Sequence, residues 1–480
     1  MISLLIVISY FLVTGIVGFY IKRRSTKKQT TEEMFVAGHS LPLLLVVPLL
    51  FGEMIAGSST VGAAGAAYRI GLAGAWGNWG HGIGCLFFAF VFLKFYCKVG
   101  KLGAMTGPEA FEIRFDRKVR MLILVFTLIP LFIILSTQLT AVAVLLSPMT
   151  GISPELAILL VGIYFLVMAL LGVKGIAGMN VVHSLVIVVG LLVASILCVR
   201  YVGGVTTMIE SVPREYLNPF SVGFMTVIAQ AVGVGLGFST SVTPINTCYS
   251  AKSADVVFKG MIIVAVISVI FAFLPLSIGI AGAVALKEVP RADSILYLMP
   301  DLISPVLSGV VTMAEFAAIL STAPFFLLSI TTLIVRDIIV PYTKIRDEKR
   351  LLMISRFLTL LALVLVMMLS GRSTSILQEL LSAGQIKASA AILLIVGLYW
   401  KRLTNQAAFW GLLFGGTLAT VWHFTGRPWG IEPLWPALIS SLTAMAFISL
   451  FSKEKISKDY IAFEQKLAMA EANEHKKTHA

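Results

Sequence analysis

Polar positions along this chain do not recur at a helical or a strand period; they collect in short intervals between long apolar runs. Read with a window of about 19 residues, the runs resolve into thirteen segments: 2–20, 41–67, 74–97, 120–146, 153–172, 180–203, 221–245, 258–287, 303–338, 351–370, 382–400, 405–425 and 433–452. About 18 apolar residues suffice to cross a hydrocarbon core of ~30 Å at 1.5 Å per residue. The pattern predicts an all-α polytopic membrane protein with thirteen transmembrane helices. Composition agrees: of 480 residues, 58% are hydrophobic and 13% charged, too few charges to clothe a soluble chain.

Charge changes the picture through its placement. The 37 Lys and Arg against 24 Asp and Glu give +13, which in a soluble protein would suggest a nucleic-acid partner. Counted over alternating intervals, however, 28 of the 37 fall on one side and seven on the other (Arg69, Arg200, Arg214, Lys287, Arg291, Arg372 and Arg427). By the positive-inside rule the richer side is cytoplasmic, so the N-terminus is expected outside and the C-terminus inside the cell membrane. The first segment is followed, not preceded, by basic residues (Lys22, Arg23, Arg24, Lys27 and Lys28), the reverse of a cleavable signal. The tail 453–480 is polar with a weak apolar stripe (Ile461, Phe463, Leu467), expected as a cytoplasmic helix or a disordered end.

Several classes of function are disfavoured. The four cysteines, Cys85, Cys97, Cys198 and Cys248, lack metal-type spacing or an extracellular pair. There is no GxxxxGK[ST] loop, no arginine at every third position of a span and no carbonyl-filter signature. No nucleophile–base set appears, so neither an enzyme nor a bound cofactor is expected.

Two segments differ from the rest. The second carries Gly52-Glu53-Met54-Ile55-Ala56-Gly57-Ser58-Ser59-Thr60, then Gly62 and Gly65; the seventh carries Gly233, Gly235, Gly237, Ser239, Thr240, Ser241, Thr243, Pro244 and Asn246. Such clusters weaken a helix, and unwound backbone at membrane depth persists only where it is buried in protein or lines a cavity. One cluster alone is better read as close helix packing. The matched pair, five segments apart and therefore oppositely oriented, instead fits two inverted five-helix repeats, each opening with a broken helix. The chain then divides into an extra first helix (1–20), repeat one (41–203), repeat two (221–400) and two extra helices (405–452), forming a single transporter domain over 1–452.

In the ninth segment, Ala318, Ser321 and Thr322 stand at i, i+3 and i+4 and share one helical face. A carbonyl and two hydroxyls are hard oxygen ligands suited to a small cation such as sodium. The alternative is that both hydroxyls only bond back to carbonyls one turn earlier.

Several stretches together resemble the sodium:solute symporter family, in particular its bacterial proline and pantothenate carriers. Glu32-Glu33-Met34-Phe35-Val36-Ala37-Gly38-His39-Ser40-Leu41 resembles the family's approach to the broken helix, with His39 where arginine is usual. Thr106-Gly107-Pro108-Glu109, continuing to Arg114-Phe115, follows the pattern found after the third span, and Asn246 to Ser253 that after the seventh. The resemblance implies a leucine-transporter-type five-plus-five inverted fold, and it adds the carbonyls of Gly52 and Ile55 to Ala318, Ser321 and Thr322 as sodium ligands. It departs from the family at Glu53, one or two positions before the usual carboxylate, and at His183, where many relatives carry aspartate.

Ionisable residues inside spans are functional candidates by default. Glu53 and His183 are candidates for ion or proton coupling, although a structural hydrogen bond is the favoured role of His183. Glu315 is expected to pair with a buried base, and Lys387 to pair with Glu379 or to snorkel. Asn78, Trp79, Gln230, Ser239, Ser241 and Phe325 form the candidate solute lining, with His81 as a further possibility. The expected activity is sodium-coupled symport of a small organic solute, an amino acid or organic acid, by alternating access. Proton coupling on the same fold, or a membrane solute sensor without coupled transport, are the alternatives. The expected partners are sodium, the solute and the lipid bilayer.

Overall fold

The computed structural model describes residues 2–24, 30–370, 376–451 and 456–478. Lys27, Lys28 and Arg372, used above in reading orientation, and the tail residues 453–455 and 479–480 lie outside the described residues.

Every predicted segment coincides with helix. Those that build the site are α1 (Ile2–Arg24), α2 (Leu43–Met54), α3 (Ala63–Ile70), α4 (Trp76–Phe87), α5 (Gly107–Arg114), α6 (Arg117–Thr150), α7 (Gly172–Tyr201), α8 (Phe224–Ser239), α9 (Val242–Ser250), α10 (Pro305–Ile334), α11 (Glu348–Leu369), α12 (Ile376–Tyr399) and α13 (Lys458–Thr478). Among the described residues, nine helices are long and apolar enough to cross a membrane. Four shorter apolar helices, Ile8–Gly18, Leu43–Met54, Pro154–Ala169 and Leu434–Leu450, stand at the remaining expected positions. Helix starts follow local chemistry: Asp116 accepts from the Val119 N–H and Ser304 from those of Val306 and Leu307, capping α6 and α10.

Lipid-facing and protein-facing sides are both apolar here, so burial rather than pattern identifies the centre. In the helix Pro305–Tyr342, 94% of the most apolar window is buried, against 33% in Glu348–Leu369; α10 is the core of the bundle and α11 sits at its periphery. α10 packs on α7, α1, α6 and α2, while α8 packs on α12 and α4. The α8–α12 contact needs glycine: a Cβ on Gly237 would stand 2.2 Å from the Gly384 carbonyl oxygen.

Both predicted breaks are present. The second segment stops at Met54, passes through Ile55 (φ −101°, ψ 79°), and resumes in a π turn at Ser58–Gly62 leading into α3. The seventh stops at Ser239 and resumes at Val242, with Ser241 extended (φ −68°, ψ 155°). The tail is helical: α13 buries Phe463 and lies against α5, with the Arg114 guanidinium 5.2 Å from the Tyr460 ring centre and 5.3 Å from that of Phe463.

Candidate ion and solute site

The first break meets the core helix. The Ser321 hydroxyl donates to the Ala318 carbonyl at 2.8 Å and reaches the Gly52 carbonyl at 3.4 Å. The Thr322 hydroxyl donates to the Ala318 carbonyl at 3.1 Å and also bonds the Gly52 carbonyl. The back-bonding alternative is therefore present in α10, yet both hydroxyls also turn toward the broken segment, which helix self-satisfaction does not require. Four of the five expected ligands converge: two carbonyls and two hydroxyls, all buried and none formally charged. Ile55, the fifth, sits at the first non-helical position, and neither hydroxyl bonds its carbonyl.

The approach of the two segments depends on Gly52 having no side chain. A Cβ there would lie 2.6 Å from the Asn180 amide nitrogen and 3.1 Å from the Ser321 carbonyl oxygen. Asn180 itself, not picked out by sequence, donates to that Ser321 carbonyl at 3.0 Å and so braces α10 against α7. Its type is common in turns and caps, and nothing in the local pattern of α7 marks it.

The second break meets α12. Thr240 donates to the Lys387 carbonyl at 3.1 Å, and the Lys387 ammonium donates to the Ser241 hydroxyl. Lys387 is 7% exposed, and Glu379 pairs instead with His423 at 3.3 Å. The expectation that Lys387 snorkels or pairs with Glu379 is thus corrected: its stem is packed between helices, and the nearest polar partner is the break itself. Glu53 projects from the first break toward the same place, within the field of Lys387 and near the hydroxyls of Ser241 and Thr243. Its carboxylate makes no direct ion pair with Lys387, and its Oε2 is buried without a hydrogen-bond partner.

Glu315 also departs from expectation. Among the described residues no base pairs with it; its two buried oxygens lack hydrogen-bond partners there, and Oε1 lies 3.3 Å from where a Cβ on Gly57 would stand. Gln138 of α6 accepts from the Gly57 N–H at 3.0 Å in the same place. His183 bonds the Tyr10 hydroxyl of α1, the structural role expected, and no hydrogen bond joins it to Glu53.

The expected lining residues divide. Ser241 faces Lys387, and Phe325 lines a cavity with Phe35, Thr106, Val242 and Ser329. Asn78 donates to the Ser59 carbonyl at 3.0 Å, binding α4 to the first break. Ser239 is turned back onto the Gly235 carbonyl at 3.0 Å, and Trp79 packs on Trp76 and on the exposed Phe273. Gln230 is half-buried in α8. His81 stacks edge-on against Phe238, with Lys387 in its field. Outside the spans, Asp293 covers α3, its backbone 2.9 Å from where a Cβ on Gly65 would stand. Burial raises its carboxyl above the usual range despite Arg291 at 3.2 Å. Among the described residues no His, Cys, Asp and Glu group could hold a metal in the manner of a transition-metal centre.

The model of the sodium:solute symporter family matches residues 34–415. The chain is 25% identical to the sodium/glucose cotransporter of Vibrio parahaemolyticus, over 90% of this chain and 87% of that one. It is 24% identical to the sodium/pantothenate symporter of Escherichia coli (strain K12), over 91% and 94%. Its fold is that of a Na+-coupled sialic acid symporter solved in a substrate-bound outward-open state, with a TM-score of 0.78 at 17% identity, covering 95% of this chain and 99% of that one.

Proposed function

Because the chain belongs to the sodium:solute symporter family, an integral membrane family of transporters and not of enzymes, we propose that it imports a small organic solute together with sodium by alternating access. The proposal includes thirteen crossings, an outside N-terminus, a cytoplasmic C-terminus, and inverted repeats over segments 2–6 and 7–11. Sodium binds Gly52, Ile55, Ala318, Ser321 and Thr322, and the solute binds between the two breaks.

The observation that carries this reading is the convergence of the Ser321 and Thr322 hydroxyls on the Gly52 carbonyl. A cation there replaces hydroxyl protons as the bridge between α2 and α10, so it favours whichever conformation keeps those helices together. A solute that prefers that conformation is bound more tightly when sodium is present, and the converse follows by linkage. The two half-helices that meet at Thr240 and Ser241 turn their ends, with the Ser241 hydroxyl, toward the polar parts of a solute.

Purified protein in proteoliposomes tests this. Labelled proline, pantothenate and glucose are supplied with an inward sodium gradient, and with choline replacing sodium. Accumulation of one of them that requires sodium, with sodium entering in fixed ratio, is the expected result. Uptake that persists in choline and collapses with the proton gradient would show proton coupling; saturable binding without flux would show a sensor.

A further inference from the structure

Lys387 and Glu53 are opposite charges inside the bundle that do not neutralise each other directly. The ammonium is spent on one hydroxyl, Ser241, at the second break. Glu53 lies at the first break, half-buried, its Oε2 without a hydrogen-bond partner and the hydroxyls of Ser241 and Thr243 beside its carboxylate. Ser241 therefore stands between the two charges. Two charges desolvated in a membrane protein are costly unless well paired, and an apolar pair of similar volume would cost less. An arrangement that keeps both, slightly apart and hinged on the two broken helices, has a use beyond stability.

We propose that Lys387 and Glu53 are the two poles of a site for a zwitterionic solute, an amino acid or a close analogue. The solute carboxylate takes Lys387 with Ser241, and its ammonium takes Glu53 with Thr243. Charge balance selects this class. A neutral sugar leaves both poles unpaired. A monocarboxylate satisfies Lys387 but faces Glu53, and an organic cation meets the reverse problem. A zwitterion satisfies both poles and adds no net charge to the membrane interior. It also bridges α2, α8–α9 and α12 at once, so binding draws the two breaks together. The inference rests on the solute path proposed above and adds to it the class of solute.

The test is thermal unfolding of the purified full-length protein in detergent, in sodium chloride and in choline chloride, against the proteinogenic amino acids, pyruvate, pantothenate and glucose. At least one amino acid is expected to raise the unfolding temperature in sodium chloride. Its C-terminal amide and its N-acetyl derivative, each lacking one pole, should bind roughly 10- to 100-fold more weakly, the range for a lost charged hydrogen bond. Lys387→Met should abolish the amino-acid shift and Lys387→Arg should retain part of it. The derivatives act on the unmodified chain, so they decide the matter even where Lys387→Met fails to fold. No shift from any amino acid, a shift only from pyruvate, pantothenate or glucose, or an amide and an N-acetyl form that each bind as tightly as the unmodified amino acid overturns the proposal. The sodium reading fails separately: it falls if sodium chloride alone gives no stabilisation over choline chloride, and an amino-acid shift in that case leaves the two-pole site standing.

Discussion

The two broken helices solve the same backbone problem with different chemistry. At the first, the unpaired carbonyl of Gly52 is met by neutral hydroxyls from a core helix that is almost wholly buried. At the second, the break at Thr240 and Ser241 is met by α12, which brings a charged Lys387. A set of uncharged hydroxyl and carbonyl oxygens suits a small hard cation. A break that carries its own charge is suited to a partner of complementary charge. The proposed division of labour between ion and solute follows which helix answers each break.

The largest expected effect tests whether the second break depends on its close contact with α12. Gly237→Ala places a methyl group 2.2 Å from the Gly384 carbonyl oxygen, a clash with backbone that no rotamer relieves. Overpacking of this kind costs ~1–3 kcal/mol or more. The purified variant should unfold at lower temperature and lose solute transport, measured by thermal unfolding and proteoliposome uptake. A variant with native stability would mean that α8 and α12 are not held at this distance.

Next in size is the first break. Ser321→Ala or Thr322→Ala removes a hydroxyl that reaches both Ala318 and Gly52. Each should raise the sodium concentration for half-maximal uptake about 10-fold or more, as expected for a lost hydrogen-bonding ligand to a charge, with little change in expression. Unchanged sodium dependence in both variants removes the cation from this break and leaves the contrast between the two without its first half.

The contrast was only half legible in the sequence. Both breaks were, because Gly, Ser and Pro clusters disrupt helices by local backbone chemistry that any reader of the chain can see. So was the Ala318, Ser321 and Thr322 face, since helical spacing fixes it. What answers each break was not. Lys387 lies 146 positions from Ser241, and its stem gives no pattern distinguishing a packed lysine from one reaching the interface. In water a helix shows its buried side by its apolar stripe, whereas in lipid every side is apolar and that clue is lost. The same loss hid Asn180, and it left Glu315 assigned to a base that the fold does not bring near it.

The smallest effect probes Asn180, which sharpens the first half of the comparison by separating ligand from support. Its side chain donates to the Ser321 carbonyl at 3.0 Å and lies against Gly52, but it supplies none of the five proposed oxygens. Asn180→Ala removes the neutral hydrogen bond to Ser321 and a long one, 3.5 Å, to the Pro48 carbonyl, together worth about 1 kcal/mol, so the sodium requirement should rise roughly fivefold. The maximal uptake rate should stay near that of the unmodified protein, because the ligands themselves remain. Combining it with Thr322→Ala distinguishes the roles. If Asn180 acts by holding the Ser321 backbone in place for the ion, the double variant should be less impaired than the product of the two single effects, since the second change disturbs a site already loosened. Effects that multiply would assign Asn180 to helix packing alone and leave the cation pocket to the hydroxyls of α10.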